Sequence, residues 1–160
     1  MGVSGAGKST LGRALATRLG RAFVEGDDHH TAASIAKMEA GEPLSDADRE
    51  DWIAALCVAM RGAQPCVASC SALNDTVRTW LAEGLGTAPL YLWLDGSRAE
   101  IAARLAGRDG HFMPPALLDS QFAALEPPTD AIRLSIDGSP DAVLARALAA
   151  LDDEAQPSGD

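Results

Sequence analysis

A chain of 160 residues with 47% apolar content is long enough for one domain with a proper core, and too apolar for a disordered segment. Its formal net charge of −10 argues against nucleic acid or an anionic membrane as a partner. No apolar run approaches the roughly 18 residues of a membrane helix, no signal peptide is expected, and Cys57, Cys66 and Cys70 lack a CxxC spacing, so they read as reduced thiols consistent with the cytoplasm.

The first ten residues, MGVSGAGKST, carry the strongest signal. Gly2 to Ser9 fit G-x-x-x-x-G-K-[ST], with Gly2, Gly7, Lys8 and Ser9 at the fixed positions. A polyphosphate needs many donors in a small space, and a glycine-rich loop turns its backbone N–H groups inward to supply them. The stretch Gly2, Val3, Ser4, Gly5, Ala6, Gly7, Lys8, Ser9 and Thr10 is therefore expected to cradle the phosphates of ATP. Lys8 reaches the β- and γ-phosphates, and the Ser9 hydroxyl stands where Mg²⁺ can use it. Leu11, Leu15 and Leu19 recur every four residues, so a helix follows the loop and points its positive end at the same anion.

Arg21 to Val24 reads as a short strand ending in Glu25-Gly26-Asp27-Asp28-His29-His30. A carboxylate just past a strand end lies on the ligand side of an α/β sheet, so Asp27 can reach the γ-phosphate region. A metal held by His29 and His30 is rejected, because no third ligand is spaced to match. Residues 31 to 40 read as a helix. Ser45 or Asp46 caps a second, whose buried stripe is Trp52, Ile53, Leu56 and Met60, with Arg49 near its start.

Pro65 to Cys70 is a strand without alternation, expected to be buried on both faces. Asn74 to Glu83 is a helix with Val77, Trp80 and Leu81 inward and Arg78 outward or toward the cleft. Pro89 to Leu94 is a third strand. The next helix carries Ile101 and Leu105 inward, with Arg104 and Arg108 four apart on one face. Asp109 to Pro115 is a turn holding His111, followed by a short helix, and residues 104 to 128 form a candidate lid. Ala131 to Ile136 is a last strand and Ser139 to Leu151 a last helix, which leaves 1–151 as the domain and 152–160 as a frayed tail. Alternating strands and helices behind a phosphate loop predict an α/β fold, a three-layer parallel sheet of the P-loop kinase kind.

Several segments together resemble the gluconate kinase family: GVSGAGKST (2–10), GDDHH (26–30), KMEAGEPLSDADREDW (37–52), CSAL (70–73), Arg78, RDGHF (108–112) and LLDSQFAALEPP (117–128). The resemblance implies ATP-dependent phosphorylation of D-gluconate on its 6-hydroxyl, a nucleoside-monophosphate-kinase-like fold, Mg²⁺, and a homodimer. It implies that Lys8, Asp27 and Arg108 are catalytic, with Asp27 orienting the 6-hydroxyl. Asp27, His30, Arg49, Arg78 and His111 would bind the sugar acid. Arg104 and Arg108 would join the loop in binding ATP.

The chain departs from the family pattern at Asn74 and Val77, where Lys and Tyr are usual, and at Thr31 and Ser34, where Pro and Asn are usual. Alternative readings are another small-molecule P-loop kinase, acting on a different sugar acid or on shikimate, and a truncated, inactive nucleotide-binding chain. The strand that should precede the loop, central in this fold, is apparently missing; Met1 is expected to be internal to a longer reading frame.

Overall fold

The computed structural model describes residues 1–107 and 115–155. Its elements alternate as the sequence predicts: α1 (Lys8–Leu19), β1 (Ala22–Glu25), a 3-10 turn (Gly26–His29), α2 (Ala32–Glu39), α3 (Asp46–Gly62), β2 (Cys66–Ser69), α4 (Asp75–Leu85), β3 (Leu92–Asp95), α5 (Arg98–Ala106), α6 (Pro115–Ala123), β4 (Ile132–Ser135) and α7 (Pro140–Ala155). The last helix runs beyond Leu151 to Ala155, because Ala and acidic residues continue the helical stretch there.

All strand pairing is parallel. β1 pairs with β2 in the register Ala22–Cys66 to Glu25–Ser69. β3 pairs with β4 in the register Leu92–Ile132 to Asp95–Ser135. Among the described residues no strand lies between β2 and β3. Met1 and Gly2 bridge the two pairs. The Met1 amino group donates to Leu92 O, the Leu94 N–H donates to Met1 O at 3.0 Å, and the Gly2 N–H donates to Ser71 O at 3.0 Å.

β2 is only partly buried along Cys66–Ala68 although its sequence is apolar throughout, because among the described residues no strand pairs with its other edge. The core is accordingly split. One cluster gathers Val3, Leu94, Ile101, Leu134 and Ile136. The other gathers Val24, Trp52, Ile53, Leu56 and Leu81. Helix α1 spans them, lying against β1 and β2 and also against α7. Its approach to β1 needs Gly12, where a Cβ would stand 2.5 Å from the Phe23 ring. Leu11 and Leu15 are buried, whereas Leu19 is exposed at the end of the helix.

Candidate active site

The loop from Gly2 to Gly7 hangs at the carboxyl ends of the strands, and its path depends on left-handed backbone. Gly2, Gly5 and Gly7 have φ of 136°, 84° and 100°. A Cβ on Gly2 would meet Leu94 O at 2.8 Å, and one on Gly5 would meet Leu105 Cγ at 2.8 Å. Non-glycine residues rarely adopt such angles, so both the conformation and the space select glycine. Val3 and Ala6 are buried and anchor the loop in the core. The Lys8 ammonium donates to Val3 O at 3.1 Å, folded over the loop it follows.

The loop is also held from outside. Gln121 on α6 accepts from the Ser4 N–H at 2.7 Å and donates to Ser4 Oγ at 3.3 Å. The Arg104 guanidinium donates to Ala6 O at 3.4 Å and to Ile136 O just after β4. Helix α1 has no side-chain cap and no acidic residue in its first turn. An uncapped helix start behind a glycine loop fits a polyphosphate, whose charge the helix dipole favours.

Beyond β1 the chain turns sharply at Gly26, where a Cβ would lie 2.1 Å from Ser69 O. The 3-10 turn then presents Asp27, whose carboxylate is 73% exposed. His30 closes the turn, 6% exposed in its side chain, with Nε2 3.9 Å from Asp27 Oδ1. Its ring stacks on Trp52 at 4.2 Å and 16°, and the Trp52 indole N–H donates to Gly26 O at 2.7 Å. Burial pushes the imidazole below its ordinary value, against an upward pull from Asp27. Burial also pushes the Cys70 thiol, just after β2, up to about 11; Lys8 pulls it down and Asp27 pushes it up.

Arg49 and Arg78 are placed differently from each other. Arg49 pairs with Asp46 at 2.9 Å in the first turn of α3 and is partly exposed. Arg78 is not outward: it is buried, donating to Ala72 O at 3.0 Å and pairing with Asp75. Ala72 itself has φ of 44° and is fully buried, a costly conformation for a residue with a Cβ. The Arg78 bond helps to hold it.

Several family-like segments turn out to hold the frame. Lys37 bonds Asp48 at 2.7 Å, tying α2 to the capping box that Ser45 and Asp48 make at the start of α3. Glu126 accepts from the Asp75 N–H at 2.8 Å in the first turn of α4, while its own N–H donates to Leu73 O at 2.8 Å.

The departures from the family pattern have local reasons. Asn74 caps α4 by accepting from the Val77 N–H, and Val77 is buried in the second core cluster. Thr31 caps α2 by accepting from the Ser34 N–H at 3.1 Å, and its hydroxyl donates to Ser34 Oγ at 3.0 Å.

The fold thus gathers the loop, Asp27 and His30 at one end of the strands, with Arg104 behind the loop. Arg49 and Arg78 start neighbouring helices, α3 and α4. Arg108 and His111 lie outside the described residues, as does the middle of the expected lid. Sequence reasoning gives Gln121 and Trp52 no role at the site. Trp52 reads as part of the buried stripe of its helix, and Gln121 stands only within the LLDSQFAALEPP segment. Among the described residues no group of three or more His, Cys, Asp or Glu side chains could hold a metal by itself.

Comparison with known proteins agrees with this geometry. A family model described as an AAA domain matches residues 1–128. A gluconokinase of Gluconobacter oxydans is 45% identical, covering 90% of this chain and 84% of its own length. A probable gluconokinase of Mus musculus is 42% identical, covering 94% of this chain and 95% of its own. The crystal structure of a gluconokinase from Sinorhizobium meliloti superposes with a TM-score of 0.89 at 39% identity, over 97% of this chain and 90% of that one. A phosphate loop with its glycines in left-handed backbone, an acidic turn at the next strand end and relatives matched over nearly their whole length lead to one assignment: the chain belongs to the gluconokinase family of P-loop kinases.

Proposed function

We propose that the chain transfers the γ-phosphoryl group of ATP to the 6-hydroxyl of D-gluconate, giving 6-phospho-D-gluconate and ADP. The observation that carries this reading is the common location of loop and acidic turn. Gly2 is bonded to Ser71 beyond β2, and the turn that carries Asp27 opens at Gly26, whose N–H donates to Ser69 Oγ at the end of the same strand at 3.3 Å.

In this reading the backbone of residues 2–10 and the Lys8 ammonium receive the ATP phosphates, and the Ser9 hydroxyl ligates Mg²⁺. When bound, Mg²⁺ neutralises charge on the transferring group. Asp27 accepts a hydrogen bond from the 6-hydroxyl and orients it. As the new O–P bond forms and the bond to the leaving oxygen of ADP breaks, the hydroxyl proton passes to the Asp27 carboxylate. A weak base suffices, because positioning supplies most of the rate in a loose transition state.

His30, Arg49, Arg78 and His111 bind the hydroxyls and carboxylate of the sugar acid. Arg104 and Arg108 add positive charge around the phosphates, with Arg104 also fixing the loop through Ala6 O. A homodimer in the cytoplasm, with residues 104 to 128 closing over the substrates, completes the reading.

The test is ADP release with ATP and Mg²⁺, comparing D-gluconate with other aldonates, shikimate and no acceptor. Turnover should require D-gluconate. Lys8→Ala should remove most of it, and Asp27→Asn should lower kcat more than it changes ATP affinity. Equal turnover with and without acceptor, or near-normal turnover in Asp27→Asn, would refute the assignment of roles.

A further inference from the structure

The last pair of the β1–β2 ladder is Glu25 with Ser69. Partners in a parallel ladder send their side chains to the same face of the sheet, and Arg13 of α1 reaches Glu25 on that face. The Glu25 side chain is 11% exposed, and Ser69 is buried. The Ser69 hydroxyl donates to Glu25 Oε1 and accepts from the Gly26 N–H at 3.3 Å. A hydroxyl has one proton and two lone pairs. A carboxylate that takes the proton therefore leaves the oxygen turned toward Gly26 as an acceptor. Gly26 opens the turn that carries Asp27, and its carbonyl is already taken by the Trp52 indole. Both polar backbone groups of Gly26 are thus held by side chains.

Glu25 has a second contact, with Arg13 Nη2 at 3.4 Å, but the Arg13 side chain is 64% exposed. A pair so open to water contributes little. Arg13 also lies over the Phe23 ring at 4.6 Å, which docks it without the carboxylate. Packing of α1 on β1 gives no reason for an acid at position 25. An apolar pair in place of Glu25 and Ser69 would close the ladder at a lower desolvation cost. What the polar pair supplies instead is a fixed acceptor for the Gly26 N–H.

We propose that Glu25 is a positioning residue for phosphoryl transfer, acting through Ser69 to hold the turn that presents Asp27; this rests on the role of Asp27 in the proposed reaction. The carboxylate orients the hydroxyl, the hydroxyl fixes Gly26, and Gly26 sets where the Asp27 carboxylate stands. Trp52 holds the same residue from the opposite side, so the turn is fixed between β2 and α3.

The experiment compares Ser69→Ala, Glu25→Leu, their combination, Glu25→Gln and Arg13→Ala. Steady-state kinetics with ATP, Mg²⁺ and D-gluconate are read beside amide hydrogen exchange at Gly26, which does not depend on activity. Ser69→Ala and Glu25→Leu should each lower kcat about tenfold and leave the KM for ATP within about twofold, because the reacting group is displaced and the phosphate loop is not. Each should speed exchange at Gly26 by about tenfold or more. Glu25→Gln keeps an acceptor oxygen at the same reach and should recover most of kcat. The combined variant should fall no further than either single one, since the two side chains act in series. Arg13→Ala should change kcat by less than about twofold. Losses that multiply in the combined variant, no recovery in Glu25→Gln, or an equal loss in Arg13→Ala would overturn the relay. So would normal kcat and exchange in Ser69→Ala, which loses a single hydroxyl and carries the test if Glu25→Leu does not fold. Absence of gluconate turnover in the natural chain would refute the reaction, whereas faster exchange at Gly26 in Ser69→Ala would still support the relay.

Discussion

Trp52 donates its indole N–H to the Gly26 carbonyl at 2.7 Å while its ring stacks on His30. One side chain on α3 thereby clamps both ends of the turn that carries Asp27. Trp52→Phe keeps an aromatic face for His30 but orphans the Gly26 carbonyl. It should cost about 1–3 kcal/mol of stability, the range for a buried unsatisfied group. Loosening the turn should lower kcat on the order of tenfold, because displaced reacting groups lose effective concentration. ATP affinity, read by calorimetry, should be unchanged. A fall in ATP affinity with normal kcat would mean that the clamp serves the nucleotide instead.

Gln121 acts on the other side of the site. It holds Ser4 by two hydrogen bonds, although 117 positions separate them in sequence. Gln121→Ala should raise the KM for ATP by roughly five- to tenfold, the equivalent of about 1–1.4 kcal/mol. The melting temperature should move little, since the contact lies at the loop and not in the core. An unchanged KM for ATP would show that the loop keeps its shape unaided.

The two arginines at the starts of α3 and α4 should separate in their effects. Among the described residues Arg49 pairs with Asp46 in its own helical turn, so Arg49→Ala should change stability by no more than about 0.5 kcal/mol. It should raise the KM for gluconate by about tenfold, the loss of one charge-assisted hydrogen bond. Arg78→Ala should lose stability as well, by about 1–3 kcal/mol, because it removes a buried side chain and leaves the Ala72 carbonyl without its donor. Chemical denaturation beside steady-state kinetics reads both. Equal stability of the two variants would contradict the burial of Arg78.

The buried imidazole of His30 makes a pH prediction. Its folded pKa lies below its ordinary 6.5, so the unfolded chain binds this proton more tightly. The stability that neutral His30 contributes is fully present above pH 6.5 and is lost as pH falls through the lower folded value. Thermal melts from neutral pH downward should show a steeper decline for the natural chain than for His30→Phe, which keeps the stack without titrating. The Met1 amino group titrates in both proteins, so the difference isolates His30. Parallel slopes would count against this account.

Much of this arrangement was legible in the sequence, for identifiable reasons. Gly2, Gly5 and Gly7 announced their backbone, because only glycine tolerates those angles. The helices of Leu56 and Val143 announced themselves by period, and the four strands by short apolar runs between turn residues. The 3-10 turn at Gly26–His29 was invisible, since acids and histidines there fit a loop equally well. Contacts such as Arg104 with Ile136 and Glu126 with Asp75 depend on tertiary approach, which no local pattern encodes. Arg78 could be read as outward or toward the cleft, and its burial excludes the first. A lone arginine on a helix is usually solvated, and its bond to the carbonyl of left-handed Ala72 depends on tertiary approach.

The division of the core has a mechanical consequence. Helix α1 touches β1 and β2 on one side and α7 on the other, and its first turn is the end of the phosphate loop. That helix is a hinge pin through two leaves, and the loop is its head. Load placed on the loop by a polyphosphate bears on both leaves at once, so occupancy of the nucleotide site and cohesion between the halves of the molecule rise and fall together.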